Sequence, residues 1–246
     1  MATRLVHMVI DAQDTSGLAA FWATALGWEI GSDEPDEASV GPAGFNYPGT
    51  GALPLEFISV PEPKAGKNRI HLDLASQSAA HQAEIVGRVR DLGAQLADVG
   101  QGDVPWVVLA DPEGNEFCVL EPRPVYSDTG PVAAVVVDST VPAGLADFWI
   151  QASSWRPVDG DGGIVALRSP QGSGPYLEFL PTSDPRRGKN RVHLDVAPAK
   201  GEDHAAAVES LLRAGAVRAD VGQGSDVSWA VLADPEGNEF CVLSPR

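Results

Sequence analysis

The chain holds two cysteines in 246 residues, Cys118 and Cys241. A disulfide framework needs several cysteines at short spacing, so none is expected. No apolar stretch reaches the roughly 20 residues of a membrane-spanning helix. Nor does a signal-peptide pattern precede the strand-like segment that follows Met1-Ala2-Thr3-Arg4. A cytoplasmic protein with no membrane partner is the expectation. Basic residues are scarce: 17 Lys and Arg stand against 34 Asp and Glu, a net charge of −17. Nucleic acid, whose phosphates need a basic face, is not expected as a partner. The same acidity serves solubility or attracts a cationic ligand at long range. Gly-rich phosphate loops and Ser-His-Asp spacings are also missing.

What is present is a repeat. Ala97-Asp98-Val99-Gly100-Gln101-Gly102 recurs as Ala219-Asp220-Val221-Gly222-Gln223-Gly224, and the twelve residues Leu109 to Leu120 recur unchanged as Leu232 to Leu243. Such self-similarity marks duplication of a structural unit. The copies run from 1 to 123 and from 131 to 246, joined by a linker containing Pro122, Pro124, Asp128, Thr129 and Gly130. Each copy is long enough to bury its own core. The apolar content of 43% is that of a globular protein.

Within the first copy, Leu5 to Ile10 reads as a strand. A helix follows, with Leu18, Phe21, Trp22, Ala25 and Leu26 on one face, Ser16 or Asp14 as its cap and Gly27 as its stop. Short strands are expected at Trp28-Glu29-Ile30, Ala38 to Val40 and Leu55 to Ile58. The pattern then restarts with a strand at Arg69 to Leu74 and a helix with Ile85, Val89 and Leu92 on one face. Strands are predicted near Gln95 to Val99, Trp106 to Ala110 and Glu116 to Leu120. The last two are joined by Asp111-Pro112-Glu113-Gly114-Asn115, whose Pro, Gly and Asn suit a hairpin turn. The second copy repeats these signs, with Leu145, Phe148, Trp149 and Ala152 in a helix opened by Pro142. The expected fold is α+β: four βαβββ modules.

Strand alternation sorts side chains by face. Ile70, Leu72 and Leu74 are expected to face the helix, sending Arg69, His71 and Asp73 to the opposite face. His7 and Val9 share one face of the first strand, with Val6, Met8 and Ile10 on the other. Glu56 opposes Leu55 and Phe57, and Glu116 and Cys118 oppose Phe117 and Val119. A pair of modules thus presents a concave face carrying His, Glu, His and Cys on four strands.

Three segments carry a family resemblance. They are Phe21-Trp22 with Leu26-Gly27-Trp28, Lys67-Asn68-Arg69-Ile70-His71-Leu72-Asp73, and Asp111-Pro112-Glu113-Gly114-Asn115. Through them the chain resembles the vicinal oxygen chelate superfamily, which includes glyoxalase I, bleomycin- and fosfomycin-resistance proteins and extradiol dioxygenases. The resemblance implies modules paired into two open, cup-shaped mixed sheets with helices on the outer face. Modules pair either within a copy, or first with fourth and second with third. It also implies a small-molecule ligand, cationic or antibiotic-like, and a chain acting as a monomeric pseudo-dimer or a homodimer.

Carried over by position, the metal ligands of that family correspond to His7, Glu56 and His71, with Cys118 where relatives have Glu. The other pairing substitutes His193 and Cys241. The cofactor is then one divalent ion (Zn, Ni, Fe or Mn) or none. Cys can bind zinc as a thiolate but cannot shuttle a proton as a carboxylate does. In the second copy Ala134 stands opposite His7, so its set of Ala134, Glu178, His193 and Cys241 lacks a ligand.

Glu56, His71 and Asp73 are the candidate acid–base groups. Arg69, Trp106, Glu116, Cys118, Glu178, Arg191, His193, Asp195, Trp229 and Cys241 are the candidate cavity lining. Each also has a structural reading: ion pairs for Arg69 and Arg191, packing for Trp106 and Trp229, buried filling for the cysteines. The basic loops Lys64 to Arg69 and Arg186 to Arg191 are either anion entry sites or solvated loops. Three functions follow: metal-free small-molecule binding, which the missing ligands favour; a metal-dependent lyase, isomerase or dioxygenase at His7; or a metal-free acid–base enzyme.

Overall fold

The computed structural model describes residues 3–159, 163–184, 186–222, 224 and 227–246. Each copy forms two βαβββ modules. The first module is β1 (Thr3–Ala12), α1 (Thr15–Leu26), β2 (Glu29–Glu34), β3 (Glu37–Gly41) and β4 (Leu55–Ser59). The second is β5 (Ile70–Leu74), α2 (Ala79–Asp91), β6 (Gln95–Leu96), β7 (Val107–Ala110) and β8 (Glu116–Val119). After a 3-10 turn at Pro124–Tyr126, the third module runs through β9 (Val132–Ser139), α3 (Pro142–Ser153), β10 (Arg156–Val158), β11 (Val165–Arg168) and β12 (Tyr176–Pro181). The fourth comprises β13 (Val192–Pro198), α4 (His204–Arg213), β14 (Val217–Arg218), β15 (Ala230–Ala233) and β16 (Glu239–Val242).

Two eight-stranded mixed sheets result, and each draws on both copies. One has the order β14-β15-β16-β13-β1-β4-β3-β2, the other β10-β11-β12-β9-β5-β8-β7-β6. The first module therefore pairs with the fourth and the second with the third. The seams are antiparallel ladders, β1 on β13 and β5 on β9.

Alternation sorts the faces as expected, with one exception. Ile70, Leu72, Leu74, Leu55, Phe57, Phe117 and Val119 enter the main core beneath the helices. Val6 does not join Met8 and Ile10 there; it packs on the cup side with Cys241 and Leu243. The β1–β13 register passes from Leu5 opposite Val196 directly to His7 opposite Asp195, leaving Val6 as a bulge. An extra residue shifts the alternation by one place, so Val6 and His7 share a face. The β5–β9 seam has the same irregularity at Ala133. Leu92 also departs from expectation: it caps the end of α2 and is exposed.

Asp14, not Ser16, caps α1 by accepting from the Gly17 amide at 2.9 Å, and Gly27 ends the helix at φ 66°. Positive φ is readily adopted by glycine. Trp22 and Trp149 are buried to 1% and reach the turn of their own copy's second module, which lies in the other sheet. Trp22 Nε1 donates to Asp111 and Trp149 Nε1 to Asp234, both at 3.2 Å. Their rings meet Phe117 and Phe240 edge-on, with centroids 5.1 and 5.5 Å apart. Burying each such Phe is worth roughly 2–3 kcal/mol.

The Asp-Pro-Glu-Gly-Asn turns also clamp the two sheets together. Glu113 accepts from the Gln13 and Asp14 amides and pairs with Arg191 at 2.5 Å. Glu236 accepts from the Thr140 and Val141 amides and pairs with Arg69 at 3.1 Å. These side chains are about nine-tenths buried. Removing one partner of such a pair strands a charge, at a cost of about 3 kcal/mol. Arg191→Ala is therefore expected to lose about that much stability in urea unfolding, and Arg69→Ala a similar amount.

Candidate functional site

The cup of β1, β4, β13 and β16 collects five chemistry-bearing side chains. His7 faces inward opposite Asp195, while Glu56 sits beside Val9 on the neighbouring parallel strand. His193 and Asp195 alternate along β13, and Cys241 lies next to Asp195 on β16. His7 Nε2 meets Asp195 Oδ2 at 2.9 Å, and His7 Nδ1 lies 3.5 Å from Glu56. His193 Nε2 is 3.4 Å from Asp195 Oδ1 and 3.6 Å from Cys241 Sγ. The five groups form a chain across the cup floor, beneath a cavity of about 560 Å³. Val9, Ile58, Trp229 and Leu243 supply its apolar walls.

The grouping His7, Glu56, His71 is corrected by this topology. His71 belongs to the other sheet, because β5 pairs with β9 and not with β1. His71, Asp73 and Cys118 stand together in the second cup, opposite Ala134 and Glu178.

Electrostatics separate the carboxyl groups. Burial, then a hydrogen bond and repulsion from Glu37 and the charge of Asp195, push Glu56 up to about 9, against the pull of Arg246. Burial also works to raise Asp195, but His193 and His7 outweigh it and hold its carboxyl well below the usual range. Burial and the Asp195 charge push the Cys241 thiol upward, so it stays protonated.

The second cup is filled. Its cup-side cluster contains Tyr126, Tyr176, Ala134, Val136, Ala166 and Cys118, with Trp106 packed against it. Tyr126 comes from the turn in the linker, and its hydroxyl donates to Glu178 at 2.9 Å. Burial raises Glu178 to about 7 although the Tyr126 bond lowers it. Nothing in the periodicity of the linker signalled that its tyrosine would be a plug.

Other expected lining residues have different work. Arg69 and Arg191 extend to the sheet clamps and to the carbonyls of Asp138 and Glu62 instead of joining the cup lining. Glu116 is held by Lys64 at 2.8 Å and the Asn68 amide. In the basic loops Lys64, Lys67, Arg186 and Lys189 pair with Glu116, Asp138, Glu239 and Asp11. Glu37, Asp36 and Arg246 line the first cup and were missed, since they lie on or beside a short strand and at the chain's last residue.

Among the described residues two triads have donor atoms close enough to hold one ion: His193, Asp195 and Cys241, and His71, Asp73 and Cys118, each within 4.8 Å. Asp195 Oδ1 and Asp73 Oδ1 are buried and accept no hydrogen bond. A nitrogen, oxygen and sulfur set of this kind suits zinc and similar borderline ions.

Glu56 makes stability depend on pH. A carboxyl raised in the folded state stabilises fully below its unfolded value and loses that contribution as pH climbs through the folded one. The urea midpoint is expected to fall between about pH 4.5 and 9. Glu56→Gln should flatten that fall, and an unchanged slope would show that Glu56 ionises normally.

The two copies each match the family described as glyoxalase-like domain, over residues 7–120 and 134–243. The sequence matches no curated protein. In structure the chain is similar to glyoxalase I from Zea mays, with a TM-score of 0.69 at 15% identity, covering 99% of this chain and 92% of that one. It is also similar to a protein of Bacillus subtilis provisionally assigned as a dioxygenase, with a TM-score of 0.63 at 15% identity, covering 99% and 85%. At these identities the likeness establishes the fold. Two family matches spanning nearly the whole chain establish the membership: this protein belongs to the glyoxalase-like domain family of the vicinal oxygen chelate superfamily.

Proposed function

We propose that the β1/β4/β13/β16 cup is the protein's single small-molecule site and that it works without a resident metal. One observation carries this reading: both ring nitrogens of His7 face carboxyl groups, Asp195 at 2.9 Å and Glu56 at 3.5 Å, above an open cavity. A histidine engaged on both sides is an acid–base and hydrogen-bonding group rather than a ligand with a free lone pair. The volume falls in the range of ordinary ligand sites. Binding is the primary reading, and the hydrogen-bonded His7–Asp195 pair gives the site the means to move a proton on a bound molecule. The cup lining carries Asp36, Glu37 and Asp195 beyond the paired Asp11 and Glu239, against Arg246, which favours polar or cationic molecules over anions.

A second reading rests on Asp195 Oδ1, a buried acceptor without a hydrogen bond. His193, Asp195 and Cys241 would hold a divalent ion there. Such an ion supplies Lewis-acid polarisation of a bound oxygen. His7 would then orient Asp195, as a ring donating to a metal-bound carboxylate does.

Metal analysis separates the two. The purified protein is expected to carry far less than one equivalent of transition metal, with a melting temperature indifferent to chelator. A stoichiometric ion that is lost in His193→Ala would replace the first reading with the second. Polar fragments are expected to shift amide resonances of β1, β4, β13 and β16 and leave those of β5, β8, β9 and β12 in place. No perturbation of the first cup by any fragment would sink the binding site itself.

A further inference from the structure

The filled cup is a template for the empty one. Register and repeat place Glu178 opposite Glu56, Trp106 opposite Trp229, Cys118 opposite Cys241 and Arg123 opposite Arg246. In the second cup these groups surround the phenol ring of Tyr126. Its hydroxyl donates to Glu178 at 2.9 Å, and its ring meets Tyr176 edge-on at 5.6 Å. The Arg123 guanidinium lies over both the Trp106 and the Tyr126 rings, 5.6 and 6.0 Å from their centroids. The phenol is buried to 8%.

In the first cup Glu56, Trp229 and Arg246 all line the cavity. A tyrosine of the chain, Tyr47, packs against the cup-side cluster of Val6, Ala197, Cys241 and Leu243. Its buried hydroxyl makes no hydrogen bond, so Glu56 lacks the phenolic donor that Glu178 has. We infer that the first cup takes a hydroxylated aromatic molecule, its phenolic oxygen hydrogen-bonded to Glu56 and its ring held against Trp229 and Arg246. The inference rests on the first cup being the ligand site. The cavity of about 560 Å³ exceeds one ring, so the phenol is part of a larger molecule. An aromatic face toward a guanidinium and a hydroxyl toward a buried carboxyl are favourable on general grounds.

The probe is p-cresol, the tyrosine side chain as a free molecule, with toluene as its deoxy control. By resonance titration p-cresol is expected to bind the first cup at least about tenfold more tightly than toluene, the worth of one hydrogen bond to a buried carboxyl. Glu56→Leu should erase that preference and Glu56→Gln, which keeps an acceptor, should retain most of it. Tyr126→Ala should admit a second equivalent of p-cresol and recover melting temperature when it binds, as cavities vacated by a ring accept ring-shaped ligands. Equal binding of p-cresol and toluene to the wild type overturns the inference, as does a preference that survives Glu56→Leu. If other polar fragments enter the first cup while p-cresol does not, only the phenolic class is lost. If nothing enters it, the ligand site fails too.

Discussion

A βαβββ module has one strand that its own hairpins cannot satisfy. In each module the first strand is flanked on one side by the fourth and is bare on the other. A bare inner strand beneath a packed helix exposes both ladder groups and apolar surface, so it must find another first strand. Here β1 takes β13 and β5 takes β9, and everything about the site follows from that choice. It brings His7 to Asp195, gives each cup one wall from each copy, and separates His7 from His71.

Much of the fold was legible because it depends on local rules. Helix faces, the Asp14 and Gly27 caps and the alternation of β4, β5 and β8 follow from short-range periodicity. The bulge at Val6 was not legible, since the alternation alone assigns Val6 to the core and only the β13 register reveals the extra residue. Nor was the pairing of modules, because both arrangements bury the same side chains. The Asp-Pro-Glu-Gly-Asn turn was read as a hairpin, and it is one. Its Glu, silent in any local reading, binds helix-start amides in the other sheet and an arginine of the other copy.

The site was legible in its parts and illegible in its grouping. His7, Glu56, His193, Asp195 and Cys241 could each be placed on a concave face from alternation. Their assembly required long-range pairing between residues almost 190 apart, which no motif encodes. Arg69 and Arg191 show the converse: their strands point them the expected way, but the neighbouring carboxylates of Glu236 and Glu113 capture them outside the cups. The difference between His7 and Ala134 sets the two cups apart, and Tyr126, a residue of the connecting segment, packs into the second.

The interlocked pairing has a consequence for the order in which the protein can form. When the first copy leaves the ribosome, β1 and β5 both lack partners until residues near 132–139 and 192–198 have been made. β1 waits for β13, so an unpaired apolar edge persists while the intervening modules are made. Neither copy owns a finished cup, and the two copies are better regarded as interleaved layers than as beads on a string.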